Sequence, residues 1–397
     1  MAKYIYDSSI DGWIIDGETV GGDYAQYSTM EIMVNEGVLD EKYLDMVTLT
    51  QEEVRGLEVD KNTDFIPPSG YIYDGTTEPG TPFDYTVKVW HRLAGNRRYD
   101  TMEEIVKTGF DDSGSTVVVA TGSSFKDALA AAGLAGIYDA PVILTDGKNL
   151  SPQAEKQLKR LEPYDVIIAG GESAVSQNVE NRIYEVTSTW PDVRRYYGQT
   201  SAGTSAALAI AGANSWSDTA IIATNKTFKD ALSAAPISYS LSMPILLADN
   251  GKSLNADVLN ALKECEIEKV IIVGGKLAVT ENVEKQLINN GIAKNSISRI
   301  AGDTAVDTSA LIAEYGLSHG MTINKMGVAT SQNYPDALAG AAFCGHNNSV
   351  LVLADEKAMK NTSFPTEYKR NFIEGYIFGG EAAVSEKVLK ALEAAVK

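Results

Sequence analysis

The residues in this sequence best placed to do chemistry come in threes. Thr121, Thr224 and Thr330 each close a short apolar run, and Asp127, Asp230 and Asp336 each follow at the start of the next helical segment. Asp146, Asp249 and Asp355 stand after the following apolar run. Glycine pairs complete each set, Gly170 with Gly171, Gly274 with Gly275 and Gly379 with Gly380, and Ser124 precedes the first helical segment. Carboxylates gathered at one end of a parallel sheet could hold Mg²⁺ for phosphoryl transfer, or could meet a ligand beside helix N-termini. They could equally complement helix dipoles and close turns.

The catalytic alternative, on the pattern of a topoisomerase-primase type of domain, lacks its parts. The first strand of each copy has no glutamate to serve as general acid or base, and no Gly-x-Gly-x-x-Gly turn or P-loop lysine motif is present. His91, His319 and His346 occupy unrelated positions. Three chemically bare edges suggest repeated binding, with no cofactor. A second metal motif lies near the start: "DSSIDGWIIDGE" matches the EF-hand loop with Asp7, Ser9, Asp11, Gly12, Ile14 and Glu18. Its flanks, "YIY" and "TVGGDY", are poor helices, so a β-hairpin from "KYIY" to "WIID" is expected there without calcium.

The elements that position these residues recur with a period of 103 to 106 residues. "VIIAGGESAVS", "VIIVGGKLAVT" and "YIFGGEAAVS" are one phrase written three times, as are "RLAG", "RYYG" and "RIAG". So long a unit is a whole domain and not a solenoid turn. Runs such as "TVVVAT" and "PVILT" read as strands buried on both faces and alternate with segments of helical period. The expected fold class is therefore α/β: three tandem, small, doubly wound parallel-sheet domains of about four strands each. Ser151 before Pro152, and Ser176, Thr280 and Ser385 after the glycine pairs, are expected helix caps.

In "FKDALAAAGLAG" small residues at Ala128, Ala132 and Gly136 recur at helical spacing and allow close approach of a neighbour. Three such helices should meet near a shared pseudo-threefold axis. Pro236, at the position of Gly133, is expected to kink or end the second one.

Composition bounds the partners. The chain has 397 residues, 44% hydrophobic and 22% charged, with a net charge of −19. Residues 1–90 hold 18 acidic against 5 basic residues, a net of −13, which leaves −6 for the rest. Nucleic acid is thus an improbable partner. No apolar run is long enough to cross a membrane, and "MAKYIYDSSI" is no signal peptide, so either the protein is cytosolic or a leader is absent from this chain. Cys265 and Cys344 fall at non-equivalent places and are expected to be buried free thiols. "STMEIMVNEG" and "DEKYLDMVTL" read as short helices, and "IPPSGYIYDGTTEPGTPFDY" as a linker.

Together "RLAGNRRYDT", "FKDALAAAGLAG", "APVILTDGKNLS" and "IAGGESAVS" resemble the type 2 cell-wall-binding repeat, over about residues 87–397. The resemblance implies a secreted Gram-positive surface protein. Such a protein is held non-covalently on an anionic secondary wall polymer by three α/β domains in a triangle. The expected divisions are an acidic module and linker at 1–86 and repeats at 87–194, 195–298 and 299–397, within a monomer that binds no membrane. The two arginines of the family's first motif are matched by Arg92 and Arg98. The second copy keeps Arg195 but has Ser201, and the third keeps Arg299 but has Ala305. The first copy is therefore expected to bind best. The second and third sites are expected to be weaker or purely structural, and in the third copy "SVLV" also replaces the "PILL" type run, which again counts against that site. The lone arginines could instead form salt bridges across domain interfaces.

Overall fold

The computed structural model describes residues 5–7, 12–15, 18–20 and 88–396, apart from 112–115, 356, 358 and 370. The chain divides into two compact units, residues 1–88 together with 397, and residues 89–396. In the first, β1 (Ile5–Asp7), β2 (Gly12–Ile15) and β3 (Glu18–Val20) form an antiparallel sheet in which Ile5 lies opposite Ile14 and Asp7 opposite Gly12. The hairpin expected from sequence is present, and strands stand where an EF-hand would need helices. Ser9, Asp11, the two expected short helices and the linker lie outside the described residues.

In the second unit β4 (Val89–Leu93) and helix α1 (Arg98–Gly109) lead into the first repeat. This runs β5 (Thr116–Thr121), α2 (Phe125–Ile137), β6 (Val142–Thr145), α3 (Pro152–Leu161), β7 (Asp165–Ala169) and α4 (Gln177–Val186). The second runs β8 (Asp192–Tyr196), α5 (Ser201–Ala211), β9 (Thr219–Thr224), α6 (Lys229–Ser240), β10 (Ile245–Ala248), α7 (Ala256–Glu264), β11 (Lys269–Val273) and α8 (Glu281–Asn289). The third runs β12 (Ile297–Ile300), α9 (Ala305–Ser318), β13 (Thr322–Thr330), α10 (Pro335–His346), β14 (Ser349–Ala354), β15 (Glu374–Phe378) and α11 (Glu386–Val396). Strands such as β5 and β9 are buried at every residue, as continuous apolar runs in a sheet covered on both faces must be.

The three parallel sheets have the orders β6-β5-β7-β8, β10-β9-β11-β12 and β14-β13-β15-β4. Each is completed by the strand that opens the following copy, so sheets and sequence repeats are out of phase by one strand. The last sheet takes its fourth strand from the first copy: β4 pairs with β15, with Arg92 opposite Ile377. The second unit is a closed ring of three equivalent junctions.

The alanine-rich helices α2, α6 and α10 pack on one another, as their spacing suggests. At one end Phe125, Phe228 and Tyr334, one from each copy, form a triangle with ring centroids 5.5 to 5.9 Å apart. At the other, Asp139 of the first copy accepts a hydrogen bond from the Tyr239 hydroxyl of the second at 3.0 Å and lies 2.6 Å from Nδ1 of His346 of the third. A Cβ on Gly136 would lie 2.1 Å from the carbonyl oxygen of Tyr239, which is the close approach that small residues permit. Pro236 does not end its helix: α6 runs on to Ser240, and the Leu241 amide bonds the Ile237 carbonyl. Packing of both neighbouring helices along α6 outweighs the lost amide donor.

Ser151 and Ser176 cap their helices as expected, bonding the amides of Ala154 and Val179. Thr280 makes no cap bond, and its hydroxyl donates instead to the Lys252 carbonyl. The Ser385 hydroxyl has no partner. Cys265 and Cys344 are buried and unpaired, and burial raises both thiols, Cys265 to about 11. Gly136→Ala and Ala132→Leu should each cost about 1–3 kcal/mol by overpacking the axis. Wild-type midpoints in chemical denaturation would refute the central packing.

Candidate functional site

In a doubly wound sheet, ligands meet the carboxyl edge where the strand order reverses, here between β5 and β7 and their equivalents. The expected site residues do gather at these edges, and most of their polar atoms are taken up by the protein itself. Thr121, Thr224 and Thr330 are buried and accept the amides of Ser123, Lys226 and Gln332, closing the turn after each strand. Ser124 caps α2. Asp146 accepts the amides of Lys148 and Asn149, Asp249 accepts from the Asn225 side chain, and Asp355 accepts the amide of Lys357. These bonds tie the loops at each edge. Among the described residues no group of three or more His, Cys, Asp or Glu could hold a metal ion.

The second carboxylate set is the more informative. Asp127 and Asp230 are buried and Asp336 is half-buried beneath the glycine turns, and a Cβ on Gly170, Gly274 or Gly379 would lie 2.6 to 2.8 Å from the carboxylate oxygen of its own copy. These three glycines also have φ of +114°, +99° and +110°, which side chains rarely adopt. Gly275 and Gly380 have open space on the Cβ side, while Gly171 faces Tyr197. Each aspartate faces a threonine of the next copy around the ring: Thr204 beside Asp127, Thr308 beside Asp230 and Thr101 beside Asp336. Those threonines in turn accept the amides of Gly198, Gly302 and Gly95 at 3.0 to 3.2 Å. Sequence reasoning passed over them, although a Gly-x₅-Thr spacing is present in all three copies.

The edge arginines are also structural. Arg195 Nη1 donates to the carbonyls of Gly170 and Val175 at 2.9 and 2.7 Å, and its Nε bonds Glu180 at 3.1 Å. Arg299 Nη1 donates to Gly274 at 2.7 Å, and its other nitrogens bond Glu284. Arg92 does the same across the ring closure, to Gly379 and Val384 at 3.0 and 2.8 Å and to Glu386 at 3.2 Å. Glu386 serves because Leu389 stands where the other copies have Glu180 and Glu284. Each guanidinium therefore holds a glycine turn to the strand that completes its sheet. Arg92, Arg195 and Arg299 thus form the salt bridges of the alternative reading, while Arg98 bonds a different turn.

Arg98 is different. It is exposed and donates through Nη1 to the Gly122 carbonyl at 2.7 Å. With exposed Arg97, it borders a cleft of about 540 Å³ where the first copy meets Asn333, Asp336 and Gly380 of the third. Ser201 and Ala305 take its place at the other two junctions, so this is the one junction of the three with a basic residue there.

Burial is the main cause of a raised carboxyl at all three aspartates, and Asp127 is pushed up to about 6 from 3.8 against the opposing pull of Lys126 and the Thr204 bond. An aspartate raised in the fold stabilises it when protonated. The contribution is complete below the unfolded value, near pH 4, and is lost as pH rises through about 6. Asp127→Asn should therefore gain on the wild type at pH 7, and this advantage should shrink by about 2 kcal/mol towards pH 4.5. Urea titrations across that range check it, and a pH-independent difference would refute the buried-charge account.

Three segments of the chain, residues 92–180, 195–284 and 299–389, match the family described as Cell wall binding domain 2 (CWB2). Over 303 residues the chain is 29% identical to the N-acetylmuramoyl-L-alanine amidase LytC of Bacillus subtilis, covering 76% of this chain and 58% of that protein. Over 307 residues it is 27% identical to the amidase enhancer of the same organism, covering 77% and 40% respectively. Its fold is similar to that of two Clostridium difficile proteins, Cwp6 and Cwp8, with TM-scores of 0.68 and 0.64, each at 22% identity. These alignments cover 93% and 77% of this chain and 54% and 51% of those structures. The chain spans about half the length of the relatives it matches. The three matched segments account for most of the closed ring, and on them the chain belongs to the cell wall binding domain 2 family.

Proposed function

We propose that this protein is secreted and retained on a Gram-positive cell wall, as a monomer, by non-covalent binding of an anionic secondary wall polymer. The threefold family match across one ring is the observation that carries this reading. The ring also supplies a physical reason for a single chain to suffice, because each copy completes its neighbour's sheet and leaves none of the three waiting for a second molecule. The relatives' names, an amidase and an amidase enhancer, support a role at the wall. For the repeats themselves the proposed role is anchoring: their edge carboxylates close turns and junctions and are not arranged for catalysis.

The charge distribution supports one junction as the site for an anionic ligand. A net charge of −19 opposes an anionic polymer at long range, but interactions beyond about 8 Å are largely screened at physiological salt. Near contact, Arg97 and Arg98 dominate at the junction of the third and first copies, and guanidinium groups suit phosphate or carboxylate oxygens through paired hydrogen bonds.

Retention on isolated walls, before and after chemical removal of their anionic polymers, tests the reading, and equal retention on both would overturn it. The double variant Arg97→Gln with Arg98→Gln should bind more weakly, with a shallower salt dependence and a smaller loss of stability than at the strand arginines, since only the exposed Arg98 bond to Gly122 is lost. Arg195→Gln or Arg299→Gln should instead destabilise the fold by about 1–3 kcal/mol through lost charge-assisted hydrogen bonds. The reverse pattern would show that the ligand is read at the strand arginines.

A further inference from the structure

The three junctions of the ring can be compared residue by residue, and the closing one is built differently. Each borrowed strand pairs in parallel with its neighbour, through five residues for β8 and β4 and four for β12, so the backbone ladders are alike. β8 and β12 follow the strands they pair with, β7 and β11, after one α-helix each, α4 and α8. β4 stands at the opposite end of the unit from β15, so only non-covalent contacts return it to its sheet.

Those contacts lack parts that the other two junctions have. Arg195 and Arg299 each engage one glutamate, Glu180 or Glu284, through both Nε and Nη2. With Leu389 in the equivalent position, Arg92 reaches a carboxylate through Nη2 alone, at 3.2 Å. That carboxylate, Glu386, is 47% exposed, against 18% for Glu180 and 33% for Glu284, and water competes for so exposed a partner. Trp90 stands where the other borrowed strands have Val193 and Ile297. Its ring covers Gly375, where a Cβ would lie 2.2 Å from it, and packs on Phe372. Its Nε1 is nonetheless shielded from solvent without a partner, so closing this sheet costs a hydrogen bond to water that the aliphatic counterparts never had. At the carboxyl end of the same junction Asp336 is half-buried, and a cleft of about 540 Å³ opens between the first copy and the third.

We propose that β4 is the latch of the ring: a strand that detaches from β15 in the folded protein while the junctions made by β8 and β12 stay closed. Proteins open locally where few interactions hold a segment, at free energies below that of global unfolding. Detachment returns Arg92 and the Trp90 Nε1 to water and leaves the first two sheets whole. The strand swings about residues 94–97, because α1 beyond them is held by α3: Gln153 donates to Asp100, and Arg160 Nη2 donates to the carbonyls of Val106 and Phe110 at 3.3 and 2.7 Å. Opening bares the edge of β15, the unpaired edge that closure otherwise covers. Closure is then a reversible step of the native molecule as well as the last step of its folding.

Hydrogen exchange of the full chain, read by mass spectrometry on peptides that cover β4, β8 and β12, tests the latch. In the wild type β4 should exchange at least about tenfold faster than the other two strands, which are sheet edges like itself. Leu389→Glu restores the glutamate of the other copies and should slow β4 about tenfold while β8 and β12 keep their rates. Glu180→Leu makes the reverse change at the first junction and should speed β8 about tenfold while β4 keeps its rate. Equal protection of the three strands in the wild type overturns the latch. So does a Leu389→Glu protein that slows all three alike, which would mark a global gain in stability. If Leu389→Glu does not fold, the wild-type rates and Glu180→Leu decide the question. None of these measurements involves a wall, so the latch and the wall reading stand or fall separately.

Discussion

Every sheet in the ring is one strand short until the next copy supplies it, and the whole second unit depends on that debt. The borrowed strands β8, β12 and β4 each bring an arginine in the same register, opposite Ile168, Ile272 and Ile377. Each arginine reaches the glycine turn at the edge of the sheet it completes. The helix that follows each borrowed strand brings a threonine to the aspartate buried beneath the same turn. A junction is therefore held by the charge-assisted bonds of its arginine, with the threonine seated beside the aspartate beneath the turn. A side chain on that glycine would collide with the aspartate.

The axis obeys the opposite logic. At the junctions polar groups must find specific partners, whereas along α2, α6 and α10 nearly every residue is small or apolar and thickness alone matters. Alanine and glycine let the helix backbones approach, while aromatic rings at one end and the Asp139 contacts at the other fix their rotation. Proline is tolerated inside α6 because that helix is packed between its two counterparts along its length.

Much of this was legible in the sequence, for identifiable reasons. Doubly buried strands need continuous apolar runs, and close helices need small residues at helical spacing, so the domain type and the axis could be read from residue types alone. The phase of the sheets could not. "RLAG" precedes its own repeat in the chain, and periodicity carries no information on which sheet a strand joins. The role of Arg92, Arg195 and Arg299 was hidden because most of their acceptors are backbone carbonyls, which leave no mark on the sequence. The junction threonines were legible in principle, in the Gly-x₅-Thr spacing, but stood among other small polar residues.

The closure of the last sheet by β4 also ties the two extremities of the ring in time. Arg92 bonds Gly379, 287 residues further along the chain. The first and second sheets can be completed as soon as the following copy begins, but β4 has no partner until β15 exists. A chain delivered N-terminus first must keep that strand unpaired through almost the entire passage. Contacts of such long sequence separation are the slowest to form, and the ring becomes kinetically locked only at the end. A molecule clipped before β15 would keep two sheets and a loose leading strand, so closure reports that the anchor has been delivered whole.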